Sequence, residues 1–103
     1  MEDKLNLISM YEIYKDMLTK NTQDVFEQYY YSDLSLREIG ENNNVSFQAV
    51  RDTLKKAEKT LNNLESKLGV WNLKKQIEKL KEMVLKPNID LETIKKQIEK
   101  IGE

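Results

Sequence analysis

The chain contains no cysteine and no histidine. That excludes disulfides, thiol nucleophiles, Cys/His zinc sites and every histidine-based catalytic triad. Carboxylates and hydroxyls remain, but no strand-borne glycine-rich loop or nucleophile elbow organises them, so no enzymatic activity, cofactor or metal is expected. With 3 glycines and 1 proline, the turn chemistry that many short strands need is also missing. No apolar run approaches the ~20 residues of a membrane span. The opening "MEDKLNLISM" is too polar for a signal peptide. The absence of cysteine fits a reducing compartment, and a cytoplasmic location is the expectation. Net charge is small, −1, with a pI near 5.6, which argues against avid non-specific DNA binding.

What is present is helix-forming. Leu, Ile, Lys, Glu and Gln dominate a chain of 103 residues, long enough for one domain or one small domain with an appendage. An all-α fold follows. The charge is uneven. Residues 1–45 carry 4 Lys/Arg against 9 Asp/Glu, residues 46–70 carry 5 against 3, and residues 71–103 carry 8 against 6. The basic character begins near Ser46, where a nucleic-acid contact would need it, although an excess of +2 is a weak field.

Apolar periodicity predicts a first helix over Asp3–Leu18, with Leu7, Tyr11, Tyr14 and Leu18 on one stripe. Thr19, Asn21 and Thr22 form a cap and turn before a second helix, Thr22–Tyr31, with Val25, Phe26, Tyr29 and Tyr30 inward. Neighbours on a helix lie ~100° apart, so Tyr29, Tyr30 and Tyr31 cannot all face the core. Ser35 and Glu38 form a capping box for a short third helix, Leu36–Asn43, centred on Leu36 and Ile39. Gly40 predicts a close helix–helix approach, and Asn44 a left-handed turn residue. Ser46 then caps a fourth helix, Phe47–Leu68, with Val50, Leu54, Ala57, Leu61, Leu64 and Leu68 in register and Gly69 as its stop. Residues 1–69 form one expected domain and residues 70–103 a C-terminal helical hairpin. Leu73, Ile77, Leu80 and Val84 line one hairpin helix; Leu91, Ile94, Ile98 and Ile101 line the other, with a break at "KPN" and a cap at Asp90. The hexapeptide "KKQIEK" recurs at 74–79 and 95–100; an internal duplication and a repetitive amphipathic composition explain it equally well. The hairpin is the expected packing or dimerisation element.

The third and fourth helices have the layout of a helix-turn-helix, with Ile39, Val45 and Val50 holding the two at a steep angle. Ser46 places free backbone N–H groups where a phosphate can bind. Phe47, Gln48, Arg51, Asp52 and Lys55 point outward from the first turns. Gln48 can pair bidentately with adenine and Arg51 with guanine. Lys55, Lys56 and Lys59 suit phosphates. The bland reading of the three lysines is a solvated face, and that of the tyrosines is core packing, with base stacking the lesser option.

Leu18–Gly69 resembles the sigma-factor region-four helix-turn-helix, and within that group it is most similar to the small YlxM-type helix-turn-helix family linked to the signal recognition particle. The stretches "YYYSDLSLREIG" and "VSFQAVRDTLKKAEKTL" carry most of this resemblance, and the leading "YEIYKDMLT" fits it. It implies a cytoplasmic bacterial protein that takes part in, or regulates, that pathway, and recognition positions at Phe47, Gln48, Arg51 and Asp52. Sigma factors typically have a basic residue where Phe47 stands and glutamine where Asp52 stands, so the departures fall on DNA readout and spare the fold. Two readings follow. In the first, a DNA-binding regulator uses Ser46, Phe47, Gln48, Arg51, Lys55, Lys56 and Lys59, with the particle's RNA an alternative target to DNA. In the second, the chain is an RNA- or protein-interaction module of the particle's machinery, without sequence-specific DNA binding.

Overall fold

The structure, a computed structural model, describes residues 4–102. It is all-helical among those residues: α1 Lys4–Tyr14, a 3₁₀ turn Lys15–Met17, α2 Lys20–Tyr30, α3 Leu36–Asn43, α4 Phe47–Leu68, α5 Val70–Leu85 and α6 Leu91–Lys100. The chain divides into two compact units between Lys67 and Leu68.

In the first unit, α3 and α4 occupy the residues that capping chemistry predicts. Ser35 Oγ accepts from Glu38 N–H at 3.1 Å, and Glu38 accepts from Ser35 N–H at 2.9 Å. Ser46 Oγ accepts from Ala49 N–H at 3.1 Å. The expected first helix is shorter than its apolar stripe. It gives way to the 3₁₀ turn, and Leu18 is extended because Thr19 already caps α2, two residues earlier than predicted. Gln23 Nε2 donates to the carbonyls of Lys15 and Leu18, satisfying the groups that a continuing helix would have used. Asp3, the predicted start, lies outside the described residues.

Val25, Ile39 and Val50 form the centre of the trihelical core, with Tyr29, Leu34, Leu36 and Leu54 packed around them. Each fully buried aliphatic side chain of this kind contributes roughly 1.5–3 kcal/mol. Val45, expected to help hold the helices together, is instead 48% exposed; it sits in the turn after α3, beyond the buried stripe. The apolar face on the second half of α4 needs a cover, and α1 supplies a contact there: Tyr14 Oη donates to Glu65 at 2.6 Å. Tyr11, fully buried, stacks on Phe26 with centroids 4.1 Å apart and donates its hydroxyl to Glu27. Tyr31 takes the outward position predicted for one of the three tyrosines, donating to Glu12.

The second unit is a helical hairpin. Gly69 adopts φ +63°, the left-handed value that stops α4, and Asp90 Oδ1 accepts from Thr93 N–H at 2.7 Å to cap α6. Gly102 N–H donates to Gln76 Oε1 and ties the end of α6 to α5. The predicted apolar lining is only partly buried: Ile77 is 39%, Val84 51%, Leu91 63% and Ile98 52% exposed, while the buried position on α6 is Gln97.

Candidate nucleic-acid interface

The turn between α3 and α4 sets the geometry. Asn44 has φ 57° and ψ 42°, the left-handed conformation that asparagine tolerates best after glycine. Its neighbours in the run are tethered to α2: Asn42 Nδ2 donates to Gln28 Oε1, and Gln28 Nε2 donates to Asn43 Oδ1, each at 3.2 Å. Val45 N–H returns to Gly40 O at 2.9 Å. Gly40 is buried against this turn. A Cβ there would lie 2.7 Å from Val45 O and 3.4 Å from Phe47 N, so the close approach predicted from the sequence is backbone on backbone.

α4 therefore starts in the open, with Ser46 exposed and its hydroxyl engaged as the cap. The backbone N–H groups of Phe47 and Gln48 lie in the first turn, where α-helical geometry provides no internal acceptor. Gln48, Arg51, Asp52, Lys55, Lys56 and Lys59 are all exposed. With ~100° per residue, Arg51, Lys55, Gln48 and Lys59 share one face, whereas Lys56 lies about 100° round from Lys55. Asp52 separates Lys59 from Lys56 on that surface. Among the described residues no ion pair engages Arg51, Lys55, Lys56 or Lys59; the pairs present are Lys4–Asp33, Lys81–Glu78 and Lys95–Glu92. These four cations keep their charge for a ligand.

Phe47 differs from the outward ring anticipated. It is half-buried, and the guanidinium of Arg37 stands 4.7 Å from its ring centroid. Arg37 is the residue that linear reading missed. It belongs to the acidic first block of the chain, and only folding of the turn carries it from α3 to the start of α4. Its exposed position within the first turn of α3 was legible; its partner ten residues on was not. The result is a second source of positive charge beside Ser46, on the scaffold helix.

A capped scaffold helix, a three-residue turn opened by left-handed Asn44, and a long capped second helix with Gln48 exposed in its first turn define a helix-turn-helix protein. The chain belongs to UPF0122, the family described as "Putative helix-turn-helix protein, YlxM / p13 like", which it matches over residues 1–101. It is similar to UPF0122 proteins of Desulforamulus reducens (54% identical, over 65% of this chain and 56% of that protein), Clostridium novyi (36%, over 89% and 80%) and Fusobacterium nucleatum (35%, over 98% and 97%). Among the described residues no helix is long and apolar enough to cross a membrane.

Proposed function

We propose that this protein is a nucleic-acid-binding regulator that presents the start of α4 to a polyanion. Ser46 and the first-turn N–H groups meet a phosphate, Gln48 and Arg51 meet base edges, and Lys55, Lys56 and Lys59 follow the backbone. Arg37 adds a cation from α3 and holds Phe47 against the scaffold. The observation that carries this reading is the exposed face of α4, whose cations have no carboxylate partner among the described residues. A part in the signal recognition particle pathway rests on the resemblance to YlxM-type proteins, and makes that particle's RNA the alternative polyanion to DNA. The test is fluorescence anisotropy of a labelled duplex and of that RNA between about 50 and 200 mM salt. Affinity falls steeply with salt, and Arg51→Ala weakens it. No binding at the lower salt overturns the reading.

The hairpin supports a second contact. Leu73, Ile77, Val84, Leu91 and Ile98 are all more than one-third exposed, an apolar surface that a second copy of the chain can cover. Helix-turn-helix proteins commonly read paired half-sites as dimers, which gives such pairing a purpose. Sedimentation at several protein concentrations tests it.

A further inference from the structure

Beside the exposed face of α4, on the side toward α2, lies a cleft that shares Arg51 and Lys55 with the docking face and whose aromatic interior duplex docking leaves unused. Tyr29, Tyr30, Leu36 and Leu54 line it and are half-buried, Arg51 and Lys55 stand exposed at its edge, and Glu58 completes the lining. Its volume is about 220 Å³. That is below the ~300–1,000 Å³ of sites for drug-sized ligands, and suits a single planar ring system.

The tyrosines of this chain fall into two groups. Tyr11, Tyr14 and Tyr31 each donate to a carboxylate, from Glu27, Glu65 and Glu12. Tyr29 and Tyr30, the two in the cleft, donate to no acceptor among the described residues. Their rings meet edge-to-face with centroids 4.9 Å apart, and Tyr30 leans on Phe26 at 4.5 Å. The cleft thus offers aromatic surface from two tyrosines whose hydroxyls have no acceptor among the described residues. Burial, and then the charge of Glu58, raise the Tyr30 hydroxyl above its ordinary pKa, so it remains a donor at neutral pH.

We propose that this cleft receives one unpaired nucleobase of the bound nucleic acid, stacked against Tyr29 and Tyr30, while Lys55 holds the phosphate beside it and Arg51 keeps to the base edges. This rests on the nucleic-acid reading above and specifies the kind of target. Electrostatics sets the orientation. The negative charge of Glu58 disfavours a phosphate inside the cleft, and Lys55 at the edge attracts the backbone. Base–aromatic stacking contributes roughly 1–3 kcal/mol per base, and a base already unpaired has little unstacking to repay. The preferred site is therefore a duplex interrupted by a bulge or loop.

The experiment compares a fully paired duplex with one carrying a single-nucleotide bulge in the same sequence, each as DNA and as RNA, with 2-aminopurine at the bulge in a parallel set. The bulged form binds about tenfold tighter, and its 2-aminopurine emission is quenched by stacking. Tyr30→Leu removes the preference with its circular dichroism unchanged, and Tyr30→Phe keeps it. Equal binding of paired and bulged forms, or a preference that survives Tyr30→Leu, overturns this inference and leaves the regulator reading standing. Absence of binding to any of the four probes at low salt overturns the regulator reading itself.

Discussion

Single atoms decide two features of this protein. At Gly40 the absent Cβ lets the backbone of α3 touch the turn that follows, so Gly40→Ala forces a carbon to 2.7 Å from a carbonyl oxygen that cannot retreat without moving the start of α4. The expected loss is about 1–3 kcal/mol, read as a lowered urea midpoint. At Tyr11 the buried hydroxyl is bonded to Glu27; burial first, and then that hydrogen bond and charge, raise its pKa above the ordinary 10.0. A raised folded-state pKa means a contribution fully present below pH 10 and lost as pH climbs above it. Urea midpoints measured against pH therefore fall above pH 10 in the parent protein, and less steeply in Tyr11→Phe. Tyr31, raised by burial and by its bond to Glu12, retains part of the slope in that variant. The glycine's role was legible from its place in a helical pattern. The tyrosine's was not, because Tyr11 and Glu27 are sixteen residues apart and only packing of α1 on α2 joins them.

Helix α4 combines two roles in one element: its inner stripe holds the core through Val50, Ala57 and Leu61, and its outer face carries the cations that have no ion-pair partner among the described residues. Asp52 is the exception on that outer face, a carboxylate set between Lys59 and Lys56 around the helix. Asp52→Asn removes the repulsion without touching the core, and should strengthen binding to a labelled duplex by about two- to fivefold, as expected of one exposed charge; unchanged or weaker binding would show that the phosphates lie elsewhere. The extent of α4 was readable because its caps are local chemistry, Ser46 at one end and Gly69 at the other. The extent of α1 was not: its apolar stripe continues to Leu18, but Thr19 and Gln23 reassign the backbone groups at that end to the next helix.

For the whole molecule, the two units call for opposite responses to salt. If α4 binds nucleic acid as proposed, that binding is expected to weaken as salt screens the phosphates and lowers the gain from counterion release. Pairing of hairpins through Ile77 and Ile98 buries apolar surface and is expected to persist in salt that abolishes nucleic-acid binding. Sedimentation velocity should show a concentration-dependent dimer at both salts, and only monomer for Ile98→Asp. The sequence by itself determined the all-α class, the caps at Ser35, Ser46 and Asp90, the left-handed turn at Asn44, the stop at Gly69, and the exposed face of α4 apart from Phe47, because periodicity and capping act over three or four residues. The tertiary structure alone decided which apolar residues are enclosed, that Arg37 covers Phe47, and that Tyr29 and Tyr30 form a cleft with Arg51 and Glu58. Those contacts join residues of different helices, and their geometry exists only once the helices have packed.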